Sequence, residues 1–116
     1  MMTAPAIDRA TFEALEQTTG AEFVLELIDT FLQEAPSMLN DLRDALAAKD
    51  ADKFRRTAHS LKSNSNTFGA LALGAMARDL ELGGMSKVVE SSGQPLDALN
   101  QEYSRVAAAL TELRHA

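Results

Sequence analysis

The sequence predicts an all-α fold: an antiparallel four-helix bundle with a short additional N-terminal helix. Three observations predict it. Apolar residues recur three and four apart along most of the chain, the spacing of one face of an α-helix. No stretch alternates apolar and polar residues at the period of a strand. Short glycine or polar segments at Gly20, residues 49–52, Gly69 and Gly83-Gly84 separate the periodic runs, and short connections make neighbouring helices antiparallel.

Residues 7–16 read as the short first helix, with Asp8 or Thr11 available as caps, Ile7, Phe12 and Leu15 as its apolar residues, and Gly20 as its stop. The next run places Phe23, Val24, Leu27, Ile28, Phe31, Leu32, Ala35, Met38, Leu39, Leu42 and Leu46 in one helical phase, straight through Pro36. A phase that survives a proline predicts one long helix with a kink, since proline removes one hydrogen bond and crowds the preceding turn. Residues 49–52 form a polar connection in which Asp50 or Asp52 caps a third helix that runs to about Phe68. Gly69 turns the chain. Leu73, Met76, Ala77 and Leu80 mark a fourth helix, which Gly83-Gly84 ends. Its small residues, Ala70, Ala72, Gly74, Ala75 and Ala77, let it approach a neighbour closely. Residues 85–95 read as a loop, with at most a turn of helix over 86–90. Leu96, Leu99, Tyr103, Val106, Leu110 and Leu113 define the last amphipathic helix. The whole of 1–116 is expected to be one domain, with its bundle core over about 8–113.

The totals narrow the function. A chain of 116 residues is long enough for a core without staples. It has no cysteine, hence neither a disulfide framework nor a thiolate metal site. No run approaches about eighteen consecutive apolar residues, and the N-terminus lacks the basic start and apolar centre of a signal peptide. A cytoplasmic protein without a membrane partner is expected. Eleven basic against seventeen acidic side chains give a formal charge of −6, which repels nucleic acid as a general partner. The balance reverses locally: Lys53, Arg55, Arg56 and Lys62 fall in a stretch without acids, suited to an anionic contact.

That stretch carries the candidate chemistry. On a helix, Phe54, Ala58, Leu61, Ser65 and Phe68 share a narrow sector, and His59 lies roughly 140° from its centre. Arg55, Lys62, Ser63 and Asn66 fall on the histidine's side. A lone helical histidine is more often a surface residue than a reactive one. Here the ring has an ammonium at i+3 and a hydroxyl at i+4, an arrangement poor for packing and good for holding an anion. Neutral imidazole is a recognised nucleophile. No glycine-rich nucleotide loop of the type Gly-x-x-x-x-Gly-Lys-Ser/Thr, no kinase-like strand lysine and no aspartate cluster for magnesium is present, so the chain reads as a carrier and not an ATP-using enzyme. Asp50 and Asp52 read as caps, His115 as incidental at the terminus, and no residues as metal ligands.

Ala58-His59, Leu61-Lys62-Ser63, Ser65, Gly69-Ala70 and Leu80-Glu81 together resemble the motif of histidine phosphotransfer (HPt) domains, roughly Ala-His-x-Leu-Lys-Gly/Ser-x-Ser/Ala-x-x-x-Gly-Ala followed by Leu-Glu. The segments Phe31-Leu32-Gln33-Glu34-Ala35-Pro36 and Leu42-Arg43-Asp44-Ala45-Leu46 are similar to those preceding the histidine in that family. Serine at position 63, where many members have glycine, is a mild departure. The resemblance implies a four-helix bundle whose exposed histidine takes a phosphoryl group from a receiver-domain aspartate and gives it to another receiver. His59 would be the phospho-acceptor and Lys62 the cation beside the phosphoryl oxygens. Glu81 would orient the imidazole, with Ser63 and Asn66 as hydrogen-bond donors nearby. Arg55 and Arg56 would belong to the docking rim. The implied partners are response regulator receiver domains and a hybrid sensor histidine kinase. No cofactor is expected on this chain, which would act as a monomer, and magnesium would come with the receiver. The alternative is a bundle that docks on and inhibits a kinase or receiver without being phosphorylated.

Overall fold

The computed structural model describes residues 5–115. Five helices follow in order, α1 (Arg9–Thr19), α2 (Ala21–Ala48), α3 (Ala51–Thr67), α4 (Leu71–Glu90) and α5 (Gln94–His115). Helices α2 to α5 form the bundle, while α1 packs on α2 and the end of α3. No helix among the described residues is long and apolar enough to cross a membrane.

Local chemistry explains the boundaries. At α1, the Asp8 carboxylate accepts from the backbone N–H of Thr11 (3.1 Å) and from its hydroxyl. Gly20, at φ 93°, ends the helix with its N–H donating to the Glu16 carbonyl. Helix α2 passes through Pro36 unbroken: the proline faces solvent while Ala35 and Leu39 on either side are buried. At α3 the cap is Asp50, whose carboxylate accepts from the Lys53 N–H at 3.1 Å. The predicted sector of α3 is the buried one, with Phe54, Ala58, Leu61 and Ser65 all at 1% exposure or less.

Gly69 serves two needs in the turn to α4. Its φ of 84° is strained for any side chain, and a Cβ there would lie 2.7 Å from the Asp8 carbonyl oxygen. The Asp8 N–H donates back to the Gly69 carbonyl at 2.7 Å, so the end of α3 is pinned to the start of α1. Phe68 then packs on Phe31 of α2, with ring centroids 5.3 Å apart, and Phe31 meets Tyr103 of α5 at 6.1 Å. Arg114 closes the far side with a bidentate pair to Asp29, at 2.6 and 2.9 Å.

One expectation is corrected. The regular path of the fourth helix does break at Gly83-Gly84, but residues 85–95 are not a loop: a second helical stretch, continuous with α4, runs to Glu90, and the connection is Ser91-Ser92-Gly93 alone. Gly84 (φ 69°, ψ −172°) breaks the phase for one residue, as the glycine pair suggests. The chain then resumes a helix because Val88 is fully buried and anchors the last turns. Leu73, Ala77 and Leu80 are buried, Gly84 and Met85 half-buried and Val88 buried, so the inward face runs on across the break at spacings of three and four.

Neighbouring valines on this segment give the test. Val88 is 0% exposed and Val89 67%. Val88→Ala is expected to lower unfolding free energy by about 2 kcal/mol, the loss of a buried valine's methyls. Val89→Ala is expected to change it by less than about 0.5 kcal/mol. Equal midpoints for the two variants in urea unfolding would mean that the segment after Gly84 is not packed.

Candidate functional site

Helices α3 and α4 make the most extensive contact in the bundle, and the candidate site lies on the outer edge of that contact. Packing is close because α4 is small where the two helices meet. Gly74 and Ala77 are buried, and the side-chain amide of Asn66 lies against Gly74 where a Cβ would clash with it. The pairing is antiparallel. Seven residues along α4 from Gly74 stands Glu81, and seven residues back along α3 from Asn66 stands His59. Two turns of each helix therefore bring the carboxylate to the imidazole.

The contact itself is short. Nδ1 of His59 lies 2.7 Å from Oε2 of Glu81, and Nζ of Lys62 donates to Oε1 of the same carboxylate at 2.9 Å. The His59 side chain is 57% exposed, whereas Lys62 and Glu81 are 25% and 16% exposed. Hydrogen bonds from Lys62 first, and from His59 second, hold the Glu81 carboxyl below its ordinary value of 4.5. At neutral pH it is therefore an anion and accepts only. The proton of the His59–Glu81 bond must then sit on Nδ1, which donates it, and in the neutral ring the lone pair belongs to Nε2 on the open side.

The structure brings together three of the residues singled out from the sequence, His59, Lys62 and Glu81, and two more at the rim. Arg55 and Arg56 border the same shallow depression as His59, Ser60 and Glu81. Both guanidiniums are held by Asp52, Arg55 at 2.8 Å and Arg56 at 3.4 Å. Lys62 leans across to α4 instead of standing free beside the outward nitrogen. Ser63 is exposed one turn beyond the histidine, and its carbonyl accepts from the Thr67 hydroxyl. Asn66 is turned toward α4, two turns from the ring, and is not part of the imidazole's immediate surroundings.

Sequence reasoning passed over two participants. Ser60, next to the histidine, lines the depression. Asp52, which reads as a helix cap, is the counter-ion of both arginines; its i+3 and i+4 spacing to Arg55 and Arg56 carries that signal. Leu82, beside Glu81, is left 70% exposed. Glu81, the carboxylate against the ring, already accepts from two donors, and no three His, Asp or Glu side chains converge among the described residues.

Comparison with known proteins gives the family and the fold. The sequence model described as Hpt domain matches residues 26–115. Sensor protein TorS of Escherichia coli (strain K12) is 31% identical over 101 residues, which is 85% of this chain and 10% of TorS, so the chain spans about a tenth of that relative's length. The crystal structure of histidine-containing phosphotransfer protein B (HptB) from Pseudomonas aeruginosa PAO1 superposes with a TM-score of 0.87 at 27% identity, covering 97% of each chain. The chain belongs to the Hpt domain family, the histidine phosphocarriers of two-component signalling.

Proposed function

We propose that this chain carries a phosphoryl group on Nε2 of His59, taken from the aspartyl phosphate of a receiver domain, in a hybrid kinase or a response regulator, and handed to another response regulator. The observation that carries this reading is the 2.7 Å bond between Nδ1 and an ionised Glu81 on a ring that is otherwise open to solvent. The bond selects the tautomer whose nucleophilic nitrogen faces a partner.

The step balances without a proton transfer. The Nε2 lone pair forms the N–P bond as the aspartyl O–P bond breaks, and the electron pair leaves on the aspartate oxygen. The ring gains a positive charge while Nδ1 keeps its proton. Glu81 faces that charge directly, and a hydrogen bond between ionised partners is stronger than a neutral one. The same contact therefore stabilises the phosphorylated ring more than the free ring. Because the transition state of phosphoryl transfer is loose, alignment and charge stabilisation supply most of the catalysis. An ammonium has three donors, so Lys62 retains capacity for a phosphoryl oxygen while bound to Glu81. Magnesium would be the receiver's ion, and the chain would act as a carrier without kinase chemistry of its own. The exposed Leu82 and the arginine rim would form the docking face around the ring.

His59→Gln is expected to abolish transfer of labelled phosphate from a phosphorylated receiver. The helical signal and the urea midpoint should stay unchanged, because the side chain is largely solvated. Retained label on the variant would refute His59 as the acceptor. Retained signalling without label would favour the docking module.

Lys62→Ala is expected to slow transfer on the order of tenfold with little loss of stability. The same variant should move the Glu81 titration, followed by carboxyl NMR, upward toward 4.5. The sign follows from linkage. A depressed carboxylate adds stability above its unfolded value, and that stability is lost as pH falls through the lowered folded value. In Lys62→Ala the window between the two narrows. An unfolded variant with normal transfer per folded molecule, or an unmoved Glu81 titration, would reverse the role assigned to Lys62.

A further inference from the structure

Asp52 is exposed, stands at the start of α3, and holds two guanidiniums at once. Its carboxyl is depressed by the Arg55 hydrogen bond first and by the charges of Arg56 and Arg55 after it. Both arginines border the depression that contains His59, and they stand four and three residues before it, one turn back on the same side of α3. On the far side of Arg56 the adjoining groove is lined by Asp41, Lys53, Thr57 and Ser60.

We propose that Asp52 is a removable counter-ion, and that the depression lined by Arg55, Arg56, His59, Ser60 and Glu81 is an oxyanion seat whose guanidiniums turn from Asp52 to the occupant. The occupant is a phosphoryl dianion. On the reading of His59 given above, it is the group arriving at or attached to Nε2.

Three physical points favour the exchange. The Asp52 pairs are more than half exposed on both sides, at 57% and 67% for Arg55 and Asp52 and 67% and 67% for Arg56 and Asp52. Exposed pairs of this kind are weak and screened by salt. A phosphoryl group carries close to two charges against the carboxylate's one, and it accepts bidentate hydrogen bonds from guanidinium. The charges of Arg55, Arg56 and Asp52 leave a net +1 beside the ring, which rises to +2 without Asp52. Lys62 and Glu81 cancel one another. Asp52 thus keeps the arginines ordered and partly neutralised until a more highly charged group takes them.

The test is a titration with inorganic phosphate in low-salt buffer, followed by backbone amide and arginine Nε–H NMR shifts. It is run on the wild type and on Asp52→Asn, Arg55→Gln/Arg56→Gln and His59→Gln. Shifts are expected at the Ser60 amide and at both arginine Nε–H groups. Asp52→Asn should bind about three- to sevenfold more tightly, the effect of one added charge on a dianion roughly 7–12 Å away in water. The double arginine variant should lose the shifts. His59→Gln should keep them while carrying no phosphoryl label, so a failure of the seat and a failure of the His59 reading give different results. Unchanged affinity in Asp52→Asn, or shifts that map away from these residues, would overturn the proposal.

Discussion

Glu81 accepts from two side chains of α3 at once, Nδ1 of His59 at 2.7 Å and Nζ of Lys62 at 2.9 Å. Each contact depends on the other. The ammonium keeps the carboxyl ionised, the ionised carboxyl accepts the Nδ1 proton, and the imidazole is left with its lone pair outward. Remove the lysine and the carboxylate is a weaker acceptor; remove the carboxylate and the ring is free to rotate and to exchange tautomers. A surface histidine without such a partner samples both tautomers. The arrangement is a charge-assisted version of the carboxylate–imidazole pairing used to orient catalytic histidines generally.

Much of the bundle bears on holding that distance. The carboxylate belongs to α4 and the imidazole to α3, so their separation is set by how closely the two helices pack. Gly74 and Ala77 keep α4 thin, and the Asn66 amide occupies the space that Gly74 leaves. The turn between the helices is fixed by Gly69, which is hydrogen-bonded to Asp8 and too close to it for any side chain. Phe54, Ala58 and Leu61 anchor the opposite side of α3 in the core. The phase break at Gly84 comes three residues after Glu81, so α4 follows a regular helical path up to the site and departs from it only beyond.

The sequence was most legible where one physical rule dominates. Helical periodicity placed Phe54, Ala58, Leu61 and Ser65 inward and His59 outward, and phase continuity across Pro36 identified α2 as one helix. Side-chain direction was less legible. Periodicity assigns Lys62 to the polar side of α3, but a four-carbon stem can lean toward any neighbouring anion, and only the packing of α4 determines that Glu81 is the one. Asn66 shares the histidine's side in sequence, yet it turns to α4 because Gly74 leaves room there, a fact held in a different helix. Asp50 and Asp52 were equivalent cap candidates; the structure gives the cap to Asp50 and the arginines to Asp52. Residues 85–90 read as at most a turn of helix because Gly83-Gly84 and Ser86 are weak helix formers; what keeps the segment helical is the packing of Met85 and Val88 on the core, which lies in other elements.

The tautomer of His59 tests the central claim most directly. Long-range proton–nitrogen NMR on the ¹⁵N-histidine-labelled protein in mildly alkaline buffer distinguishes a protonated from a bare ring nitrogen. A protonated Nδ1 and an unprotonated Nε2 are expected in the wild type, with mixed tautomers in Glu81→Gln. A wild-type ring protonated at Nε2, or a tautomer ratio unaltered by the loss of the Glu81 charge, would contradict it.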